Sequence, residues 1–595
     1  MKSSASLMPN GVPFPFWDDQ TVYSRVYHVA CQHPAASDDN PGTEQQPFKT
    51  INRAAAVLQP GEKVIVHAGV YRECVRPARG GVGPDRMIAY QAAPGETVIV
   101  RGSEVWKPNF TRGSGWRYTS WEESNEASAK FPVWVGDLHI EWYPGYNPFV
   151  ARNFSSEYTT FTRDWSVEEN HTFLLRRGMV FANGRPLRQV HFPSQLSKAD
   201  GTFWVEDPGL RLHLRLWGDA DPGEASWEVT AREQVFAPLV EGLGYIRISG
   251  FRFEHAADGI PVPQRAMLSA RRGHHWIIED NDLRWANAVG LDVGNETWHR
   301  QWPGEDIPQG GHIIRRNHVS DCGVCGMAAV GNNACTLVED NLIERIGGLN
   351  IERIWEAGGL KFHTCDTVLI RNNIFRHIRS APGLWLDYLN QNSRVTGNIF
   401  ADVESIQGGI FIEVSHAPNL VDHNFLWDIR PGPVPESWQG INGPGINIDT
   451  GEECIVAHNL LGKVRDGYAI LVHLGQKERV VAGRVGLCRQ HKVLNNLIVD
   501  CPKRILLSRA QANVCDGNLY DQEDDPVSLC VEYPAPKALV NLAAWQKYYG
   551  FDQHGLQTRL SADFDPQELV LTLDVEGEVP PAVQVEAFLA EWAGQ

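Results

Sequence analysis

A chain of 595 residues is longer than one compact core usually requires, so two or three domains are expected. Its composition, with 43% hydrophobic and 21% charged residues, is that of an ordinary soluble globular protein. The formal net charge of −18 argues against nucleic acid or another polyanion as the partner, because like charges repel.

No segment of the sequence predicts a membrane protein or an exported one. A run of about 18 apolar residues, which a membrane-spanning helix needs, does not occur. Residues 1–16 contain prolines and a single lysine where a signal peptide would have an apolar core. We therefore expect a cytoplasmic protein without a membrane partner.

The eleven cysteines form an odd-numbered set scattered through a long chain, which indicates free thiols. Cys322 and Cys325 make a CxxC pair, and Cys335 and Cys365 follow, but the second close pair that a zinc site needs is absent. These cysteines are expected to be small buried residues. No cofactor is predicted to be required, and the acidic residues described below are compatible with a structural calcium ion.

Residues 1–104 are predicted to form an N-terminal cap and the first coils of a solenoid. The segment 47–58 repeats apolar residues on one face of a helix, and Pro60-Gly61 would end that helix. The apolar residues are Ile51, Ala54, Ala55 and Leu58. A short amphipathic helix of this kind can cover the open end of a solenoid.

Residues 105–232 have the pattern of antiparallel hairpins. An Asn183-Gly184 turn separates apolar strands at 179–181 and 185–187, and a turn at 207–209 separates strands at 202–205 and 210–214. The sequence therefore predicts an inserted β-sandwich-like domain.

Residues 233–525 contain a series of short apolar strands that end in asparagine. The asparagines are Asn281, Asn317, Asn341, Asn373, Asn398, Asn424, Asn459, Asn496 and Asn518. Their irregular spacing of 22 to 37 residues favours a right-handed parallel β-helix with loops in some coils over a propeller or a leucine-rich horseshoe. The predicted fold class is all-β. Asparagine is expected at the turns because it tolerates the left-handed region.

The pattern stops after Asp521, and residues 526–595 are predicted to be a C-terminal cap or tail with a helix over 537–549.

A second repeat lies within the first and consists of a glycine, an apolar residue, a variable one, another apolar one and a polar one. It occurs at 359–363, 383–387, 409–413 and 445–449. Because alternate side chains of a strand face opposite ways, the terminal polar residues are predicted to form an outward column on neighbouring strands. The members of the column are His363, Asp387, Glu413 and Asp449.

Asp387 and Glu413 each lie 11 residues before an asparagine of the series, so they occupy one station on consecutive coils. Neighbouring strands are about 4.8 Å apart. Retaining glycosidases separate their two carboxyls by about 5–5.5 Å and inverting ones by about 6.5–9.5 Å. The pattern thus predicts a retaining glycosidase acting on an oligosaccharide. Two close carboxyls also repel, which favours protonation of one of them, but geometry does not say which.

Outward aromatic residues beside the carboxyls, Trp385 and Phe411, would suit a sugar ring. His363 would either donate to the sugar or be a satisfied surface histidine. The alternative for the column is a stack of surface acids paired with basic residues, or a calcium site. Lys361 as a base, with calcium on the acidic column, would suit a polysaccharide lyase acting on uronates. A non-catalytic carbohydrate-binding solenoid is the third alternative.

The motifs at 359–363 and 383–387, with Glu413-Val414-Ser415-His416 followed by Pro418 and Asp422-His423-Asn424, resemble glycoside hydrolase family 120. The characterised members of that family are β-xylosidases. The resemblance extends from about Tyr27 to Asn424. It implies a right-handed parallel β-helix with an inserted β-sandwich, and exo-acting, retaining hydrolysis of xylo-oligosaccharides. It also implies that Asp387 is the nucleophile and Glu413 the acid/base.

The resemblance extends to residues around the two carboxyls. A sugar-binding glutamate seven residues before the histidine motif corresponds to Glu356, and Trp355 stands where the family usually has histidine. A family tryptophan from the inserted domain corresponds to Trp165. The predicted substrate-binding set is Glu356, His363, Trp385, Lys361, Phe411, His416, Asp449, Trp165 and Trp355. The sugar stays open, with an α-L-arabinoside as the alternative, and a homo-oligomer is compatible with the sequence.

Overall fold

The chain folds into a solenoid whose coils each add one strand to long parallel sheets. The computed structural model describes residues 6–113, 131–153, 175–259, 264–296, 310–349, 356–432, 442–475, 479–481, 483–509, 512–522, 527–532 and 537–576. Within these ranges three long sheets run along the solenoid axis, and their strands pair in parallel except for Ala538–Val540 and Val570–Glu576 at the C-terminal end. The predicted all-β parallel β-helix is therefore confirmed.

The three sheets are named here in the order in which each coil enters them. The first sheet contains Arg25–Val29, Glu62–Val66, Ile88–Ala92, Ile246–Ser249, Ile277–Glu279, Ile313–Arg315, Leu337–Glu339, Leu369–Arg371, Arg394–Thr396, Leu420–Asp422, Ile455–Ala457, Lys492–Leu494 and Val514–Asp516. The second sheet contains Gly69–Tyr71, Val98–Arg101, Arg252–Ala256, Asp282–Ala286, His318–Ser320, Leu342–Glu344, Ile374–Arg379, Ile399–Ser405, Phe425–Pro431, Leu460–Val464, Leu497–Val499, Leu519–Asp521, Leu556–Asp565 and Val570–Glu576. The third sheet contains Leu268–Ser269, Val289–Asp292, Cys325–Val330, Gly358–His363, Leu384–Asp387, Ile410–Ser415, Ile446–Gly451, Tyr468–His473, Lys503–Ser508, Leu529–Glu532 and Ala538–Val540.

The predicted N-terminal helix is present at Ile51–Val57. Its predicted apolar face, including Leu58 just past its end, is buried in the main core. The Thr50 side chain accepts a hydrogen bond from the backbone N–H of Arg53, which caps the first turn. The helix thus buries the apolar face that the sequence predicted.

Two further sheets lie between Ser103 and Thr230, and their strand pairs are antiparallel except that Arg188–Gln189 pairs with Thr202–Glu206 in parallel. One contains Arg185–Pro186, Val180–Ala182, Trp227–Thr230 and Ser103–Trp106, and the other Arg188–Gln189, Thr202–Glu206, Arg211–Arg215, Trp134–Asp137 and Thr111–Arg112. Short helical turns occur at Ile140–Trp142, Pro193–Ser197, Trp217–Asp219 and Pro222–Glu224. Residues of both sheets share one apolar cluster that includes Trp106, Phe203 and Trp227. The two hairpins predicted around 183–184 and 207–209 are both present.

The predicted asparagines occupy equivalent turns, but their role differs from the one expected. The left-handed conformation belongs to the residue before each asparagine, with φ between 52° at Arg316 and 70° at Gly517. The buried asparagine side chains instead connect the coils. For example, Nδ2 of Asn398 donates to Oδ1 of Asn424 at 3.0 Å. The series therefore forms an asparagine ladder inside the solenoid, in which each amide satisfies its neighbour.

The ladder ends on an aspartate that the sequence pattern did not reveal. Asn518 donates from Nδ2 to Oδ1 of Asp552 at 2.9 Å, in the position where another asparagine would stand. The prediction that the repeat stops at Asp521 was wrong, because Leu529–Glu532 and Leu556–Asp565 extend the third and second sheets in parallel. The predicted helix over 537–549 begins later, with Leu542–Ala544 and a π-helical turn at Trp545–Tyr549.

All eleven cysteines are free thiols, as predicted, and most of them are buried. No helix in the described parts of the chain has the length and apolar character needed to cross a bilayer.

Candidate active site

The polar column predicted from the repeated phrase lies on the third sheet. His363 is the register partner of Asp387, Asp387 of Glu413, and Glu413 of Asp449. His473 continues the column on the next strand. The stacking of Asp387 directly beside Glu413 is therefore confirmed, and Asp449 aligns with them despite the long interval before it.

The glycines that open the repeated phrases allow these strands to approach closely at their start. A Cβ atom on Gly383 would lie 2.7 Å from the carbonyl oxygen of Gly409, and one on Gly409 would lie 2.9 Å from that of Gly445. Both distances are shorter than a carbon–oxygen contact allows. Glycine at this station thus keeps the column in unbroken register.

Asp387 lies in a buried cluster with Lys361 and His363. Its Oδ2 lies 3.1 Å from Nζ of Lys361 and 3.4 Å from Nδ1 of His363. Glu356 closes the cluster, with Oε2 3.8 Å from Nζ of Lys361 and 3.5 Å from Nε2 of His363. The structure therefore brings together four of the residues that the sequence assigned to the site.

Charge balance in this cluster fixes two protonation states. Burial alone would raise the pKa of Glu356, but the Lys361 ammonium and His363 outweigh it and lower that pKa to about 2. Burial alone would lower the pKa of Lys361, but Glu356 and Asp387 outweigh it and raise that pKa. Lys361 is thus a buried ammonium and Glu356 a buried carboxylate at neutral pH.

Glu413 has different surroundings from Asp387, although the two are adjacent. Burial raises the pKa of Glu413 to about 8, the charge of Asp387 adds to the increase, and Arg479 opposes it. The Arg479 guanidinium donates a hydrogen bond to Oε1 of Glu413. The side chains of Asp387 and Glu413 are 13% and 14% exposed, so both are largely buried and keep a small accessible surface.

Trp385 and Phe411 lie side by side one row from the carboxyls. Their ring centres are 5.0 Å apart, and Nζ of Lys361 lies 3.5 Å from the centre of the Trp385 ring. Both residues are buried, whereas the sequence predicted that they face outward. The Lys361 ammonium lies against the Trp385 ring, which was expected to bind a sugar. Within the described parts of the chain, the buried polar atoms Nε1 of Trp385 and Oδ1 of Asn447 have no hydrogen-bond partner.

Asp449 and His416 lie on the C-terminal side of the carboxyl pair. Thr450 and the backbone N–H of Gly475 donate to Oδ1 of Asp449 at 2.6 and 2.8 Å. Burial lowers the pKa of His416, and the charges that act on it are those of Arg484 and Glu452 rather than those of the carboxyl pair. His416 is therefore set apart from the cluster around Asp387.

Trp165 and Trp355, which the sequence also assigned to the site, lie outside the described residues. Arg479 was missed because it follows a loop that carries none of the repeats. Among the residues that the structure describes, no three or more His, Cys, Asp or Glu side chains are grouped so that they could hold a metal ion.

Comparisons with known proteins agree with this architecture. A family model described as "Right handed beta helix region" matches residues 240–461, and one described as a protein of unknown function (DUF1565) matches residues 35–76. No curated protein matches the sequence.

Solved structures match along most of the chain. A complex of XylC with xylose is 23% identical, covers 86% of this chain and 86% of its own, and superposes with a TM-score of 0.63. A structure described as a glycoside hydrolase is 12% identical, covers 84% of this chain and 96% of its own, and has a TM-score of 0.46. The chain thus has a right-handed parallel β-helix of the kind that the resemblance to glycoside hydrolase family 120 implies.

Proposed function

We propose that the protein is a retaining, exo-acting glycoside hydrolase that releases xylose from xylo-oligosaccharides by double displacement. The observation that carries the proposal is the pairing of Asp387 with Glu413 on adjacent strands in two different electrostatic surroundings. Asp387 contacts the ammonium of Lys361, as suits a nucleophilic carboxylate, whereas burial keeps the proton on Glu413 at neutral pH. Two neighbouring carboxyls divided in this way can serve as nucleophile and general acid.

In the first step, a carboxylate oxygen of Asp387 attacks C1 of the sugar while the bond from C1 to the glycosidic oxygen breaks. Glu413 gives its proton to that oxygen, so the leaving group departs as a neutral alcohol. Asp387 then holds the sugar as an ester, and Glu413 carries the negative charge.

In the second step, Glu413 takes a proton from water as the water oxygen attacks C1. The ester bond to Asp387 breaks, and the carboxylate is restored. Two inversions at C1 give a product with the configuration of the substrate. Strands about 4.8 Å apart leave no room for a water between the two carboxyls and the sugar, which favours this route over a single inversion.

The lyase alternative receives less support from the cluster. A lyase would use Lys361 as the base that removes a proton from the uronate. The raised pKa of Lys361 means that it holds its own proton at neutral pH, because Glu356 and Asp387 surround it. A protonated amine cannot act as a base.

Xylose is the favoured sugar on two grounds. The sequence resembles a family whose characterised members are β-xylosidases, and the superposed XylC structure is a complex with xylose. A panel of nitrophenyl glycosides, comprising β-xyloside, α-arabinoside, β-glucoside and β-galactoside, tests this choice.

The two roles are tested with an aryl β-xyloside whose leaving group needs no protonation. Glu413→Ala should still glycosylate the enzyme, accumulate the intermediate and be rescued by azide to the azide of retained configuration. Asp387→Ala should form no covalent intermediate, and azide could yield only the inverted azide.

Asp428→Ala is the matched control, because Asp428 is paired with Arg430 and Arg465 on the second sheet, away from the carboxyl pair. Its activity should equal that of the wild type. The opposite pattern of azide rescue would exchange the two roles. An unsaturated product that absorbs in the ultraviolet would instead establish the lyase.

A further inference from the structure

Arg479 reaches the carboxyl pair from a short hairpin that the sequence patterns did not single out. Arg479 stands immediately before the hairpin strands Val480–Val481 and Arg484–Val485. The guanidinium of Arg479 donates to Glu413, and that of Arg484 pairs with Glu452. The hydrogen bond from Arg479 to Glu413 and the ion pair of Arg484 with Glu452 therefore attach the hairpin to consecutive coils of the third sheet.

The hydrogen bond from Arg479 involves only one of the two carboxyl oxygens of Glu413. Arg479 donates to Oε1. Among the described residues, no hydrogen bond to Oε2 is present, so Oε2 is the oxygen that can carry the proton toward the glycosidic oxygen. The guanidinium thus fixes the orientation of the carboxyl without occupying its reacting atom.

Four charged groups act on Glu413 from the elements around it. Asp387 and Asp449 oppose its ionisation from the two neighbouring strands, and Lys361 and Arg479 favour it. His473 follows Asp449 in the column and is the titratable group next in line. Lys361 is shared with two other carboxylates, whereas Arg479 is directed at Glu413 through a hydrogen bond.

Resting on the function proposed above, we propose that Arg479 is a positioning residue that holds Glu413 in orientation and stabilises its carboxylate for the second half of the reaction. Before the first step, Asp387 is charged and opposes ionisation of Glu413. After that step Asp387 is an uncharged ester and Glu413 has lost its proton. Arg479 is then the opposing charge in direct contact with Glu413, and it keeps the carboxylate ready to accept a proton from water.

The test compares Arg479→Met with Arg479→Lys in the full chain. Loss of a neighbouring positive charge raises the pKa of a carboxyl, commonly by about one unit or more. In Arg479→Met, the basic limb of kcat/KM, which follows protonated Glu413, should move up by about one pH unit. With an activated aryl β-xyloside, the acidic limb of kcat should also move up, and the glycosyl-enzyme should accumulate at neutral pH.

Two variants separate this role from simple support of the hairpin. Arg479→Lys keeps a positive charge, so its limbs should stay near those of the wild type even where kcat falls. Arg484→Met removes the ion pair that joins the same hairpin to Glu452 and should leave both limbs in place. Unchanged limbs in Arg479→Met, or an equal shift in Arg484→Met, would overturn the proposal.

A titration that needs no substrate keeps this proposal distinguishable from the proposed function. The carboxylic acid band of Glu413 can be followed by infrared difference spectroscopy against pH and assigned by its loss in Glu413→Gln. Its midpoint should lie higher in Arg479→Met than in the wild type. A wild type without glycosidase activity would remove the proposed function, whereas an active enzyme with an unchanged midpoint would remove the role of Arg479 alone.

Discussion

The ammonium of Lys361 lies 3.1 Å from Oδ2 of Asp387 and 3.5 Å from the centre of the Trp385 ring. Its side chain is only 2% exposed, and an unpaired charge at that depth would be strongly unfavourable. The buried ammonium of Lys361 therefore contacts both Asp387, the proposed nucleophile, and the Trp385 ring. It also lies near Glu356.

Replacement of Lys361 by Met should affect both stability and turnover. Two buried carboxylates would lose their shared partner, so the free energy of unfolding should fall by about 3–5 kcal/mol. The kcat should fall by about 10²–10³ because a preorganised charge beside the reacting carboxylate is lost. Urea unfolding and aryl xyloside hydrolysis measure the two effects.

Lys463→Met is the matched control for that variant, because Lys463 also lies over a tryptophan, Trp427, at a more exposed position. It should change the free energy of unfolding by no more than about 1 kcal/mol. Equal losses in the two variants would mean that Lys361 acts only through its packing.

Trp385→Phe should weaken substrate binding while it preserves the ring contact with Phe411. The variant loses the Nε1 donor, which has no hydrogen-bond partner among the described residues. If that donor binds a sugar hydroxyl, kcat/KM should fall about tenfold. Inhibition by xylose should weaken by a similar factor, whereas unchanged inhibition would place the hydroxyl contacts elsewhere.

The buried carboxyl of Glu413 should make stability depend on pH. Its pKa rises from 4.5 to about 8 on folding, so between these values the folded state binds more protons than the unfolded state. The free energy of unfolding should therefore decrease as pH rises through this window, by an amount on the order of a few kcal/mol.

Glu413→Gln removes that titration and isolates it from those of Asp258 and Asp292, which are also buried and whose pKa values burial also raises. The difference in unfolding free energy between variant and wild type, measured by urea at pH 5 and pH 8, should shift in favour of the variant at the higher pH. A difference that stays constant across the window would show that Glu413 does not hold an extra proton in the folded state.

Asn424→Ala should destabilise the solenoid from its interior. The substitution removes the acceptor for both the backbone N–H and Nδ2 of Asn398, and it removes one of the two donors to Oδ1 of Asn459, whose bond from the backbone N–H of residue 424 remains. The expected loss is about 2–4 kcal/mol in the free energy of unfolding. Gln567→Ala, at an exposed position, should cost less than about 0.5 kcal/mol, and a similar value for Asn424→Ala would contradict the structural role of the ladder.

The features that repeat along the chain could be predicted from the sequence, and those that occur once could not. The stacking of Asp387 on Glu413 follows from a phrase that recurs in four consecutive coils. Arg479 belongs to a hairpin without that phrase, so only the folded chain shows that it contacts Glu413. Asp552, the aspartate that ends the ladder, was not predicted for the same reason. It stands where an asparagine would be, outside the spacing by which the series was recognised.

The asparagine ladder also determines where the chain can change its length. Its longer intervals, of 36, 32, 35 and 37 residues, carry their extra residues at 293–312, 345–357, 432–445 and 474–491. Each of these stretches adjoins a strand of the third sheet, either before it or after it. The extra residues therefore stand, in the sequence, next to strands of the sheet that bears the carboxyls, while the internal amides from Asn281 to Asn518 keep these coils aligned. Changes in the length of these four stretches could alter substrate preference while Asp387 and Glu413, the proposed catalytic pair, keep their positions.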